Sequence, residues 1–243
     1  MVRSVSQLTI VGVGLTLLAG CTTTQQKAAR LQLNNARLRL NETRLRLGDR
    51  SSEVRVDSVD LVATRTRAEA AVVVTIRNQT SKPVSDLPVL VGLSLRGGHR
   101  TNLNAAAGLS YFRNHLPAIP SHGELNWVLT LHRRLPAGAK PFAIVGTASP
   151  TTATAIGALP AVRVTSVKTS GSDTSFTVLN SSSVSQYQLP VYAVARRGQR
   201  WVAAGQTTID ELDGGHSAQL RLALVGNPAG ASLSFEAPPT IFK

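Results

Sequence analysis

After residue 52, apolar positions along the chain either alternate with polar ones or form short continuous runs. Turn residues interrupt this pattern roughly every 8–12 positions, as in proteins built from many short strands. Because alternate side chains of a strand point to opposite faces, the pattern predicts β-strands. The candidate strands are 53–63, 69–77, 88–95, 124–132 and 141–146, followed by 161–168, 174–179, 190–196, 200–206, 217–224 and 231–236. Gly97-Gly98 and Arg197-Gly198 are predicted to form hairpin turns between strands.

Several short segments of the first set of strands recur in the same order in the second set. The matching pairs are 54–59 (VRVDSV) with 162–167 (VRVTSV), 74–78 (VTIRN) with 176–180 (FTVLN), 87–89 with 189–191 (both LPV), 96–100 (RGGHR) with 196–200 (RRGQR), and 136–139 with 228–231 (both PAGA). An internal repeat of this kind indicates two related modules. We place them at residues 53–148 and 161–243, joined by a linker at residues 149–160.

Modules of this length with this many short strands are typical of antiparallel β-sandwiches. An Asn after an apolar strand, a Ser-rich turn, another strand and a Gly hairpin together resemble the FxLYD and related immunoglobulin-like domains. The resemblance covers residues 176–224 and is carried by residues 187–192 (YQLPVY) and by Arg197-Gly198-Gln199. The Leu-Tyr-Asp of the family name is absent, and residues 191–194 (VYAV) occupy that strand. The resemblance implies a mainly β protein with two tandem immunoglobulin-like sandwiches, interaction or spacer roles, and no catalysis.

The first 20 residues have the layout of an export signal. Arg3 precedes an apolar core at residues 8–18, which is shorter than the roughly 20 residues needed to span a bilayer. Leu18-Ala19-Gly20-Cys21 follows and resembles the bacterial lipobox. That resemblance implies cleavage after Gly20 and a diacylglycerol on the Cys21 thiol, which tethers the chain to a membrane. The alternative is an ordinary secretory signal followed by a chance cysteine. Cys21 is the only cysteine, so no intramolecular disulfide can form.

A seven-residue repeat runs through residues 29–49, within a stalk at residues 21–52. Its Ala, Leu, Arg and Gln content favours a helix over residues 25–47. A strand is the alternative, because Leu-x-Leu alternation occurs in each repeat. Lys27 and six arginines outnumber two acidic residues in the stalk. This surplus favours contact with anionic lipid beside the anchor, and a solvated spacer is the alternative.

The whole chain has 26 basic and 13 acidic side chains, a formal net charge of +13 that attracts anionic partners. A genome that favours Arg codons is the other explanation of this charge. The sequence contains no phosphate-binding loop, dinucleotide fingerprint or Gly-x-Ser-x-Gly nucleophile motif. Its five histidines lack the close pairing of zinc ligands. We therefore expect no catalytic residues, no metal site and no cofactor.

One loop of the first module, between Arg100 and Leu116, is about seven residues longer than its counterpart in the second. Tyr111, Phe112 and Arg113 in this loop are a candidate contact patch. The alternative is that both aromatic rings cap a core. The sequence thus favours a non-catalytic lipoprotein on the extracytoplasmic side of a cell envelope, in the outer membrane where the host has two membranes. It would contact an envelope protein or a wall polymer. The alternative is an electrostatic binder of anionic envelope polymers or lipid, without specificity for nucleic acid.

Overall fold

The computed structural model describes residues 45, 47–64, 68–105, 110–133, 135–147 and 158–240. The predicted signal peptide, Cys21 and all but two residues of the predicted helix at 25–47 lie outside these ranges, as does most of the predicted linker. Among the described residues there are thirteen strands, no α-helix, and one short 3-10 helix at Tyr111–Arg113. The prediction of a mainly β protein is therefore confirmed. The strands are β1 (Val54–Ala63), β2 (Ala70–Asn78), β3 (Val89–Ser94), β4 (Arg100–Asn102), β5 (Glu124–Leu131), β6 (Lys140–Val145), β7 (Val162–Ser170), β8 (Asp173–Asn180), β9 (Gln186–Arg197), β10 (Arg200–Leu212), β11 (Ser217–Ala223), β12 (Val225–Gly226) and β13 (Ser232–Glu236).

The hairpin formed by β9 and β10 is longer than the predicted strands 190–196 and 200–206. It begins at Gln186, four residues earlier, and β10 continues to Leu212. Pro190 lies inside β9 and pairs with β10. On its other side β9 is covered by β13 only from Tyr192 onward. At Pro190 the strand is therefore an edge on that side, where a missing N–H is tolerated. The short strands β4 and β12 were not predicted.

The strands form four small antiparallel sheets. We name them sheet I (β4-β3-β6), sheet II (β1-β2-β5), sheet III (β12-β10-β9-β13) and sheet IV (β11-β8-β7). In chain order, the pairings β1-β2-β5 of the first half reappear as β7-β8-β11 in the second. Likewise β4-β3-β6 reappears as β10-β9-β13. The repeat seen in the sequence is thus also a repeat of strand pairing.

Equivalent asparagines anchor the same loop in both halves, and both are almost fully buried, at 1% and 0% exposure. The Asn78 amide nitrogen donates to the carbonyl oxygens of Lys82 and Pro120, each at 2.8 Å. The Asn180 amide nitrogen donates to the Val184 carbonyl at 2.8 Å and to the end of β10 at 3.1 Å. Each side-chain oxygen accepts from the backbone N–H two residues later, at 2.8 and 3.2 Å. These bonds fix the crossing from β2 to β3 and from β8 to β9.

The central strand of sheet II, β2, is buried on both of its faces. Every residue of β2 except Arg77 is buried. On one face Val72 and Val74 belong with β3 to the core of the first half. Ala71 and Val73 share the other face with Thr75, which bonds to Asn126, and Asn126 bonds to Glu236 of sheet III. Val194 of sheet III is in the same apolar cluster. Full burial of a valine contributes about 1.5–3 kcal/mol, so this central strand is a major source of stability.

Sheets II and III join the two halves of the chain. Val194, Ala204 and Val225 of the second half belong to the same buried cluster as the core of the first half. Gly226 in β12 approaches β1 closely enough that a Cβ atom there would lie 2.9 Å from Val62 Cγ1. A separate cluster built on Phe176 fills the space between sheets III and IV. The halves therefore share an apolar interface.

The first described residues of the chain, before β1, lie at one end of sheets I and II. The Ser51 N–H donates to the Val145 carbonyl at 2.9 Å, and the Thr147 N–H donates to the Asp49 carbonyl at 2.8 Å. We call this the entry end. The turns between β3 and β4 and between β9 and β10 lie at the opposite ends of their strands, which we call the hairpin end.

Two contacts show that the entry ends of sheets II and III lie on the same side of the molecule, and so do their hairpin ends. Asn126, near the start of β5 at the entry end, is bonded to Glu236 at the end of β13. Val62, near the end of β1, lies against Gly226, which pairs with the start of β10 near its hairpin turn. Both hairpin turns consequently lie at the same end of the molecule.

Candidate functional site

The predicted contact patch is largely covered by the rest of the chain. Tyr111 and Phe112 are 7% and 3% exposed, and they form a small cluster with Tyr187 from β9. The Tyr111 hydroxyl donates to the Asp86 carboxylate, and its ring stacks on His115 with 4.0 Å between centroids. This geometry matches the alternative in which the two rings cap a core, here at a contact between the two halves.

Arg113 and its neighbours are bonded inward as well. The Arg113 guanidinium donates to the Thr130 carbonyl at 2.7 Å, and burial lowers the pKa of this arginine. The Phe112 carbonyl accepts from the Trp127 indole N–H at 3.2 Å. Asn104, which is fully buried, donates to the Arg113 carbonyl at 3.0 Å. The described part of the long loop of the first half is thus held in the fold by hydrogen bonds.

A chain of polar side chains crosses sheet II and reaches the second half. We call Ser58, Thr75, Asn126 and Glu236 the polar row. Ser58 Oγ lies 3.2 Å from Thr75 Oγ1, which donates to Asn126 Oδ1 at 3.1 Å. The Asn126 amide nitrogen donates to a Glu236 carboxylate oxygen at 2.9 Å, and the Asn126 backbone N–H lies 3.3 Å from the other oxygen.

Glu236 is the titratable group of this row, and its side chain is partly buried. Its burial raises the pKa of the carboxyl, and the hydrogen bonds from Asn126 oppose that rise. Tyr192 pairs with Glu236 across β9 and β13, and burial raises the pKa of its hydroxyl as well. Among the described residues, neither the Tyr192 hydroxyl nor Gln206 Oε1, on the next strand, has a hydrogen-bond partner. The sequence did not predict this row, because its first and last members, Ser58 and Glu236, are about 180 residues apart in the chain.

Sheets I and III carry six exposed cations at the hairpin end, three from each half. They are Arg96, Arg100 and Lys140 in the first half, and Arg196, Arg197 and Arg200 in the second. No carboxylate of the described residues lies within 4.0 Å of them. The described arginines that do form ion pairs are Arg55 and Arg77, at the entry end. Two arginines of the entry end are therefore ion-paired, whereas none of these six cations pairs with a described carboxylate.

The two hairpins hold their arginines in similar ways. The Arg100 guanidinium lies over the Phe142 ring, 5.3 Å from its centroid, and that of Arg196 lies over Trp201 at 5.2 Å. Arg197 also donates to the Ala229 carbonyl in the Pro-Ala-Gly turn before β13, and the Arg96 side chain lies near Gly138 in the equivalent turn before β6. Such stacking orients a planar guanidinium. One Arg196 nitrogen, Nη2, already donates to the Gln199 side-chain oxygen, so a ligand would meet the remaining N–H groups of that arginine.

The turns themselves are open. Gly98 and Gly198 have φ of +82° and +58°, and no atom lies within 4 Å of where their Cβ would be. Glycine adopts this backbone conformation without strain, and here it leaves the tip of each hairpin bare. A ligand can therefore approach the neighbouring arginines without steric obstruction from the turn.

The described part of the chain contains no group of three His, Cys, Asp or Glu side chains placed to hold a metal ion. His132 lies 3.7 Å from Glu69 near the hairpin end. None of the described residues forms a helix of the length and apolar character needed to cross a membrane. The surface feature with the clearest chemical character in the described residues is thus the cationic hairpin end.

No protein-family model matches this sequence, and a search of curated proteins finds no match either.

Proposed function

We propose that this protein is a non-catalytic lipoprotein of a bacterial cell envelope, which presents two immunoglobulin-like β-sandwich modules to an envelope protein or a wall polymer. The observation that carries the proposal is Leu18-Ala19-Gly20-Cys21 directly after a short apolar core. Two acyl chains on Cys21 would supply stable anchoring, because each buried CH₂ contributes about 0.8 kcal/mol. No catalytic constellation was found in the sequence.

Strand pairing supports the tandem-module part of the proposal. Each half has one three-stranded sheet built from its first, second and fifth main strands, and a second sheet that faces it across an apolar cluster. Two facing antiparallel sheets with this many short strands are the architecture of a sandwich. The modules share an apolar interface and would be presented as a pair.

The place where the stalk joins the fold supports contact with a partner away from the membrane. The stalk joins the fold at the entry end, beside residues 49–51. A lipid at Cys21 therefore tethers the protein through that end. The hairpin end lies opposite, where a partner beyond the membrane surface would meet it.

The test is the chemistry of Cys21 in the full chain expressed in a bacterial host. Mass spectrometry of the amino-terminal peptide should show a diacylglyceryl thioether and cleavage after Gly20. Cell fractionation should place the protein with membranes. The matched control Cys21→Ser keeps the size of the side chain and should leave the protein unprocessed and unlipidated. An unmodified sulfur on a chain that still begins with Met1 would overturn the proposal.

A second function is favoured by the six exposed cations of sheets I and III at the hairpin end, none of which is ion-paired with a described carboxylate: electrostatic binding of an anionic envelope polymer or lipid. Its mark is a steep fall of affinity with salt, because bound phosphates release counterions. Binding that is unaffected by salt would count against it.

A further inference from the structure

We propose that the hairpin end is a two-part site for a single chain of a phosphate-bearing wall polymer. This inference rests on the proposed envelope location for the identity of the polymer. It rests on the two hairpins alone for the phosphate chemistry. One hairpin contributes Arg96 and Arg100, and the other contributes Arg196 and Arg200.

Arginine suits this ligand because its planar guanidinium binds phosphate oxygens through two parallel N–H groups. Arg100 and Arg196 are each held over an aromatic ring, so part of their orientation is fixed before binding. Less side-chain freedom is lost when such a group binds. Each hairpin thus has one ring-stacked arginine and a second exposed arginine nearby, although the stacked residues, Arg100 and Arg196, are not equivalent positions of the repeat. This gives one phosphate position in each half.

The layers of the fold set the distance between these positions. The β3–β4 hairpin belongs to sheet I and the β9–β10 hairpin to sheet III, with sheet II between them. Stacked sheets lie about 10 Å apart, so the two hairpins are about 20 Å apart. A short anion reaches one hairpin, whereas a longer linear polyanion reaches both and gains avidity.

The charge and the position of the hairpin end together favour a polymer over the surface of the anchoring membrane. The described carboxylates near it are Glu69, which lies beside His132, and Asp173 on the outer sheet IV. Six exposed cations outnumber them. The hairpin end also faces away from the entry end, through which the stalk and its lipid are attached. A headgroup of the anchoring membrane would meet the opposite end first.

The experiment uses the full lipidated chain in detergent and two probes, linear inorganic polyphosphate much longer than about 20 Å and triphosphate. Affinity is measured over a range of salt concentrations. The variants are Arg96→Gln with Arg100→Gln, and Arg196→Gln with Arg200→Gln. We expect each pair to weaken binding of the long polymer by about 10-fold or more. We also expect each to reduce the slope of log affinity against log salt by about 1–2.

The matched control is Arg55→Gln with Arg77→Gln, which removes the same charge at the entry end, where both arginines are ion-paired. It should change polymer affinity less than about 2-fold. Circular dichroism and thermal melting check that every variant folds.

Three results would overturn the inference. One is an equal loss in the control, which would show that net charge alone acts. Another is an affinity for the long polymer no greater than that for triphosphate. The last is preferred binding, through the same arginines, to vesicles of anionic phospholipid. If Cys21 of the native chain is unmodified and the polymer still binds through these arginines, only the proposed lipoprotein function is refuted.

Discussion

Replacing Asn126 with alanine removes the side chain that links the polar row of the first half to Glu236 of the second. The amide donates to the Glu236 carboxylate at 2.9 Å and accepts from Thr75 at 3.1 Å. A hydrogen bond to a charged group contributes about 1.5–3 kcal/mol, and one between neutral groups about 0.5–1.5 kcal/mol. We therefore expect Asn126→Ala to lower the free energy of unfolding by about 2–4 kcal/mol at neutral pH.

The loss should depend on pH in a defined direction. Burial raises the pKa of Glu236 in the folded protein above its unfolded value, so stability falls as the pH rises through the folded pKa. The Asn126 bonds oppose that rise, and their removal moves the folded pKa further up. The difference between variant and wild type is therefore largest above the folded pKa and shrinks once the carboxyl is protonated. Glu236→Gln, which cannot ionise, should remove this pH dependence.

Urea denaturation followed by tryptophan fluorescence measures the effect, because Trp127 lies in the first half and Trp201 in the second. Thr130→Ala is the matched control, on the same face of β5 but without a side-chain hydrogen bond to a described residue. It should cost less than about 1 kcal/mol. A loss below about 0.5 kcal/mol for Asn126→Ala, or an equal loss at about pH 4 and about pH 8, would refute the reasoning.

Two further pairs of variants test the repeat and the close approach of its halves. Asn78→Asp and Asn180→Asp place a carboxylate oxygen against carbonyl oxygens, so each should lose about 2–5 kcal/mol of stability in urea denaturation. The exposed control Asn102→Asp should change stability by less than about 0.5 kcal/mol. Gly226→Ala adds a Cβ against a carbonyl of β10 at φ +98° and should lower stability by about 2–5 kcal/mol, whereas Gly198→Ala, at an open turn, should lower it by about 1–2 kcal/mol. Equal losses within either comparison would contradict the reasoning.

The sequence by itself determined most strands and the repeat. Period-two alternation and turn residues report the local backbone, which is why all eleven predicted strands overlap observed ones. Ten agree in their bounds to within four residues, and β10 continues six residues beyond its predicted end. The resemblance of residues 74–78 to 176–180 located two asparagines that make equivalent bonds. The hairpin turns at Gly97-Gly98 and Arg197-Gly198 were also visible, because glycine tolerates the backbone that such turns need.

Only the tertiary structure decided what each strand faces. The continuous apolar run at the start of β2 was a signal of burial on both faces, but it does not say that sheet III supplies the second cover. Nothing local indicated that Asn126 meets Glu236, or that Tyr111 and Phe112 pack with Tyr187. Such contacts join residues distant in the chain, and they depend on how whole sheets stack. The sequence alone determined that two arginine-rich hairpins exist. That both lie at one end of the molecule was decided by the stacking of sheets II and III.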